Sequence, residues 1–511
     1  MFPACSFFLR PNTALILSVF ALITEQRRVL AHVARISVVS MTPTNPTHSA
    51  VPSEIIDQLR AAVDGQREQL INELSALVEI PSIAWDDLDP QPVIDSAEAV
   101  ADLFRSAGLD DVRILSAARP DGVEGRPVVI ARREAAEGMP TVLMYAHHDV
   151  QPTGDLDLWN TDPWKATAVD GRLYGRGTAD DKAGIMVHLG ALRAVDQVAA
   201  ATGLGLTYFI EGEEEAGSPS FANFLKENRD ALKADVIIVA DSSNWKVGQP
   251  ALTTSLRGLT AGEFEVRVLE HAVHSGVFGG PVLDAPTIAA RLVSTLHDEN
   301  GDVAVEGLAT ASSAEIDYEE ADFRADANVV GGFQLAGTGS IADRLWRKPA
   351  ISLIGMDITN VSLSSNTIIP MVRGKVSVRL APGQDPTQAA KAMEDHFAKQ
   401  DIFGAQITYK TTEVGPSFAT DTSSPAAQAK MWALEQAWNV KPVEMGLGGS
   451  IPFIGDLQEV FPDAEILVTG IEDPDTRAHS ANESLHIEDF YKATLSEALL
   501  LAHLASSASN G

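Results

Sequence analysis

A chain of 511 residues, 45% of them hydrophobic, is too long for one ordinary core and carries enough apolar material for two domains. Its 70 acidic against 38 basic residues give a formal net charge of -32, which repels phosphate backbones and anionic membrane surfaces and argues against nucleic acid and membranes as partners. The single cysteine, Cys5, excludes an intramolecular disulfide framework and a cysteine-built zinc site, so any metal must be held by His, Asp and Glu.

Residues 1–50 read as an extension outside the folded domains. Arg10 precedes an apolar run, 13–24, that is too short to span a bilayer and is followed by Glu25-Gln26-Arg27-Arg28 without a clean small-residue cleavage pattern. The preferred reading is a disordered or upstream-start extension, a functional start at Met41 and a cytoplasmic protein; the alternative is export, with the run as the apolar part of a signal peptide. From Ile55 a helical pattern runs through Leu59, Val63, Leu70, Leu74 and Leu77 and stops near Ile80-Pro81-Ser82. A second helix is expected over 95–107, before Gly108. Short apolar runs then alternate with helical ones at 128–131, 141–146, 206–210 and 236–240, which predicts an α/β fold whose sheet is mostly parallel in its centre. In such sheets sites form at the carboxyl ends of strands. There the chain places His147-His148-Asp149 after Ala146, an acidic run from Glu211 to Glu215 after Ile210, and Asp241 after Ala240.

After Trp245 the texture changes. Alternating Phe264, Val266 and Val268, a helix through Ile288, Leu292 and Leu296, an acidic loop at 317–326, alternating Val376, Val378 and Leu380, a helix from Pro386 and a strand at 407–414 read as a separate α+β sandwich. It occupies 252–416, inserted into a domain made of 51–251 and 417–511. The first pattern resumes with a helix start at Ser424-Pro425, then Gly448-Gly449-Ser450-Ile451-Pro452, a strand at 466–469, the cluster Arg477-Ala478-His479-Ser480-Ala481-Asn482-Glu483, and a helix from Ile487.

The stretch 173–184 ends a Gly-rich loop on Asp180-Asp181 and opens an apolar helix. Taken alone, Asp180 reads as a helix cap. Taken with His147, Glu215, Asp241 and His479, it completes a set of two imidazoles and three carboxylates suited to zinc, manganese or cobalt. Five ligands are too many for one four-coordinate catalytic zinc with its water, whereas a shared carboxylate would serve two ions.

The segments 146–152, 175–181 and 211–218, Asp241, His274-Ser275-Gly276-Val277-Phe278-Gly279-Gly280 and His479-Ser480-Ala481-Asn482-Glu483 resemble, in family order, the co-catalytic two-zinc metallopeptidases: aminoacylases, carboxypeptidase G and carnosinase-like dipeptidases, with the dipeptidase branch nearest. One departure is Ala146, where glycine is common in the family. The resemblance implies an α/β fold in which a mostly parallel-sheet dinuclear-metal peptidase domain carries the insert as a lid and dimerisation domain. It implies two divalent ions, zinc foremost, with His147, Asp180 and Asp241 on one, Asp180, Glu215 and His479 on the other, and a cis peptide after Asp180. Glu214 would be the general base for a hydroxide shared by the ions, and Asp149 would orient His147. His274 would reach the active site of a second subunit, making the protein a homodimer. Arg379, Thr367, Gly449 and Ser450 would contact the substrate, Arg379 through its carboxylate. The expected activity is cleavage of dipeptides or short peptides. Its rivals are an N-acyl-amino-acid amidohydrolase and a catalytically silent metal-binding assembly protein. His148 and His188 are read as non-ligands, Glu211 and Glu213 as solvated neighbours in an acidic run, and His271, His297, His396, His486 and His503 carry no motif.

Overall fold

Alternate residues of the strand Thr141–His147 enter two different cores: Val142, Met144 and Ala146 pack into one, Leu143 and Tyr145 into the other. Successive strand side chains point to opposite faces, so a strand apolar at every position must be covered on both sides. This strand is the middle of a nine-stranded sheet in a computed structural model that describes residues 51–449 and 452–509. The expectations for residues 1–50 and for Ser450 lie outside the described residues.

Thr141–His147 runs parallel to Gly205–Glu211 on one side and to Val236–Val239 on the other, and Val236–Val239 runs parallel to Glu465–Val468. The centre of the sheet is therefore parallel, as the alternating pattern predicts. Antiparallel strands Val128–Arg133 and Asp111–Leu115 extend one flank. On one face lie the helices Ser53–Gly65, Arg67–Val78, Gln91–Ser106, Lys182–Gln197, Pro425–Trp438 and Ile487–Ser509. The other face is covered by Phe221–Glu227 and Pro452–Val460, whose Phe221, Phe224, Phe453 and Leu457 meet the strand residues Leu143 and Tyr145. The single helical pattern expected from Ile55 to Leu77 is broken at Gln66, which leaves helical geometry with φ -110° and sends its side-chain amide to the Gly190 carbonyl at 2.9 Å.

The segment 252–256, read from the sequence as the start of the insert, belongs to the main sheet. Ala251–Leu256 is buried along its whole length and pairs with Val443–Leu447 and Phe418–Ala419. The chain leaves that sheet at Arg257 and enters a four-stranded antiparallel sheet of Gly258–Arg267, Ala350–Met356, Met371–Leu380 and Gln406–Gly415. The helices Ala285–Ser294 and Pro386–Ala398 cover one face, with Ile288, Leu292, Met393 and Phe397 against Phe264, Val266, Val376 and Val378. Alternation then sets Arg373, Lys375, Ser377 and Arg379 on the opposite face. The acidic loop at 317–326 contains a short helix, Glu320–Asp326.

Candidate metal centre

Parallel pairing brings the ligand-type residues to one edge. His147 closes its strand opposite Glu211, and Tyr145 is in register with Val239, so the segments that follow these neighbours, Glu214-Glu215 and Asp241, start from the same rim. Asp180 arrives on the loop before the helix Lys182–Gln197, and His479 on the loop after Glu465–Val468. The peptide between Asp180 and Asp181 is cis, the isomer that the resemblance implies.

The two oxygens of Asp180 face two different imidazoles. Oδ1 lies 3.1 Å from His147 Nε2, and Oδ2 lies 3.0 Å from His479 Nε2. His479 Nε2 is also 3.2 Å from Glu215 Oε2. Ligand atoms gather into two trios, each mutually within 4.8 Å: His147, Glu214 and Asp241, and Asp180, Glu215 and His479. All five ligands read from the sequence thus meet, and Glu214 joins them, in the first trio. His147 and Asp180 are buried, whereas the His479 side chain is 58% exposed, so the centre opens on that side.

The electrostatics fit a cationic occupant. Burial pushes Asp241 up to about 7, and burial followed by the neighbouring Asp241 holds Glu214 well above the ordinary carboxylate range. Burial works against the charged form of Asp180 too, but hydrogen bonds from His147 and His479 outweigh it and keep this carboxyl low. Hydrogen bonds to Asp180 and Glu215 raise His479 to about 11. Four carboxylates crowded into a largely desolvated pocket repel one another, and two imidazole nitrogens with those oxygens are the donor set of borderline divalent cations.

Asp149 has a wider part than orienting one ring. His147 Nδ1 lies 3.1 Å from the Asp149 carbonyl and 3.5 Å from its Oδ1. The same carboxylate accepts the backbone N–H groups of Glu214 and Glu215 at 3.1 and 3.0 Å, so one buried acid fixes the imidazole and the segment bearing the two glutamates.

Sequence reasoning missed Glu483 and Arg176. The Glu483 carboxylate accepts Arg176 Nη1 at 2.6 Å and the N–H groups of Gly177, Ala179 and Asp180 at 3.0, 3.0 and 3.2 Å, with both side chains buried. It ties the loop that presents Asp180 to the loop that presents His479. An arginine between two glycines, Gly175 and Gly177, was the available signal. Removing one partner of such a pair strands a buried charge, so Glu483→Ala is expected to cost about 3–5 kcal/mol of unfolding free energy. Chemical denaturation measures this, and a loss under about 1 kcal/mol would contradict the clamp.

Glu211 and Glu213 are not solvated. Glu211 Oε2 is 2.6 Å from the Tyr145 hydroxyl, and burial pushes this carboxyl up to about 8. Glu213 accepts Arg119 Nη2, Arg126 N and Ser220 N at 3.0, 2.9 and 2.8 Å. They continue a buried strand, so their carboxylates stay inside and brace the turn into Glu214. The two other histidines behave as read. His188 sits between Glu497 Oε1 and the Tyr145 carbonyl at 2.8 and 3.0 Å, and His148 Nε2 is 2.9 Å from the Pro127 carbonyl.

The remaining site residues belong to other segments. His274 and Thr367 are cross-strand partners in a short pair on the insert, and both are exposed; His274 Nδ1 accepts the Gly276 N–H at 3.0 Å. Arg379 is on the insert sheet, in register with Leu259. Gly449 is exposed, and an added Cβ there would meet nothing within 4 Å.

A parallel-centred α/β sheet whose strand ends converge on two ligand trios, with one acid between two imidazoles, defines the class of dinuclear metallohydrolases. The chain belongs to Peptidase family M20/M25/M40, whose model matches residues 143–503. It is 34% identical over 442 residues to a cysteinylglycine-S-conjugate dipeptidase of Corynebacterium striatum, covering 85% of this chain and 95% of the relative. It is 27% identical over 466 residues to the Beta-Ala-His dipeptidase of Mus musculus, covering 86% and 93%. Among solved structures the fold matches the di-peptidase Dug1p of Saccharomyces cerevisiae with a TM-score of 0.70, at 22% identity over 90% of this chain and 99% of that one.

Proposed function

We propose that this metallopeptidase cleaves the peptide bond of dipeptides with two divalent ions, most simply zinc, held by His147, Asp180, Glu215, Asp241 and His479. The observation that carries the reading is Asp180, whose two oxygens lie 3.1 and 3.0 Å from imidazoles of two different clusters. The dipeptidase relatives support the substrate class. Bound ions would supply Lewis acidity and a water ionised near neutral pH. Glu214, standing in the first trio with its N–H held by Asp149, takes the proton of the attacking water and passes one to the departing amine. Asp149 keeps the His147 ring and the Glu214-Glu215 segment in place while this happens.

Homodimerisation is part of the proposal: exposed His274 of a second subunit would donate to the oxyanion, with Thr367, Gly449, Ser450 and Arg379 holding the substrate. Cytoplasmic residence is proposed as well, resting on the reading of residues 13–24; among the described residues no helix is long and apolar enough to cross a membrane. The test is the metal-loaded enzyme assayed on a dipeptide panel beside N-acyl amino acids. Turnover of dipeptides is expected. Turnover of N-acyl amino acids alone would replace this reading with the amidohydrolase one.

A further inference from the structure

Trp85 is 47% exposed, and its indole has neither a hydrogen bond nor a ring partner among the described residues. The backbone beneath it is nevertheless fixed. Arg126 donates from Nε to the Ala84 carbonyl at 3.0 Å and from Nη2 to the Trp85 carbonyl at 3.2 Å. Arg119 grips Asp86 through Nη1 at 2.7 Å and Glu213 through Nη2 at 3.0 Å. Just before them, Ser82 donates its hydroxyl to the His148 carbonyl at 2.6 Å and accepts the Val150 N–H at 3.0 Å. The loop 82–86 is thus bolted to the two segments that carry His147, Glu214 and Glu215. An aromatic ring on so fixed a backbone, itself left uncovered, loses little conformational freedom when a ligand packs on it.

The ring lines a cavity of about 640 Å³, a volume usual for small-molecule sites. Trp85, Pro120, Ala216 and Pro219 give it apolar walls, and Arg119 and Glu215 complete them. Glu215 joins the cavity to the metal centre, since its Oε2 lies 3.2 Å from His479 Nε2 in the second trio. A substrate carbonyl placed at the ions would therefore have this cavity beside it. Arg119 brings no free positive charge, because Asp86 and Glu213 answer it from both sides. Exposed Asp121, also in the lining, adds a negative one. Such walls suit an apolar or aromatic group and give an anionic one nothing to pair with.

We propose that this cavity receives the side chain of the substrate's N-terminal residue, with Trp85 as its stacking platform, and so selects dipeptides whose first residue is large and apolar or aromatic. This deepens the reading of the protein as a dipeptidase and rests on it for the identity of the ligand. The first residue is the one concerned because its carbonyl is the one polarised at the ions, and its side chain leaves from the adjoining carbon. The second residue's side chain stands beyond the scissile bond.

The test measures kcat/KM of the zinc-loaded enzyme on glycylglycine, phenylalanylglycine and glycylphenylalanine, for wild type and Trp85→Ala. Wild type is expected to favour phenylalanylglycine over glycylglycine by about tenfold or more, the worth of a side chain filling an apolar pocket. In Trp85→Ala that ratio is expected to fall at least about fivefold, while the ratio of glycylphenylalanine to glycylglycine stays where it was. A Trp85 that merely braced the fold would depress all three peptides alike, and that result overturns the proposal. So does a wild type indifferent between phenylalanylglycine and glycylglycine. A Trp85→Ala protein whose sole change is lost self-association in sedimentation overturns it too, by making the ring a contact between subunits. Trp85→Phe, which keeps a smaller platform, should give an intermediate ratio, and it serves if circular dichroism shows Trp85→Ala unfolded. If the wild type turns over N-acyl amino acids and no dipeptide, the dipeptidase reading fails, while the ratio of N-phenylacetylglycine to N-acetylglycine still decides the role of the cavity. If nothing is turned over, calorimetric titration with phenylalanylglycine and glycylglycine yields the same ratio as affinities.

Discussion

Glu214→Gln should lower kcat by about 10²- to 10⁴-fold, the usual worth of a positioned proton transfer, while the protein still binds two divalent ions. The substitution keeps the shape of the side chain and removes its capacity to carry a proton. Five other donors remain, His147, Asp180, Glu215, Asp241 and His479, so metal content should hold. The main-chain anchor survives as well, because Asp149 grips the N–H groups of residues 214 and 215 rather than their side chains. Burial and the nearby Asp241 hold this carboxyl well above the ordinary carboxylate range. Steady-state kinetics beside elemental analysis of the same sample would check this. Unchanged turnover would remove Glu214 from the chemistry.

Stripping the divalent ions should abolish turnover, and restoring it should require two equivalents per chain. The Lewis acid and the ionised water contribute several kcal/mol, which corresponds to about 10³-fold or more in rate. Folding should largely survive, because the loops around the site are tied independently of any ion: Glu483 holds Arg176 and three N–H groups of the 177–180 stretch, and Arg172 pairs with Asp473 at 3.0 Å beside the His479 loop. Full recovery with one equivalent would show that a single ion suffices.

The gathering of the candidate ligands was legible in the sequence because parallel strands buried on both faces read as unbroken apolar runs, and whatever polar residue follows such a run must emerge at the rim. His147 and Asp241 stand out for that reason. Family resemblance then selected among the neighbours, passing over His148, which turns to the Pro127 carbonyl instead. The clamp between Arg176 and Glu483 joins residues 307 apart, and no local pattern announces a contact at that range. Glu211 and Glu213 were misread for a related reason. A run of acids suggests a wet surface, but these continue a strand already buried, and their partners Tyr145 and Arg119 come from elsewhere in the chain. The start of the insert was displaced because Ala251–Leu256 differs little in texture from the strands beyond Arg257; only its pairing with Val443–Leu447 assigns it to the main sheet.

Counting the metal ions bound by Asp180→Ala against wild type, by equilibrium dialysis and elemental analysis, tests the shared carboxylate most directly. Two ions per wild-type chain are expected, with the variant retaining one at most and holding it more weakly. A variant that keeps both ions at undiminished affinity would show that Asp180 joins nothing, and the dinuclear account would fall with it.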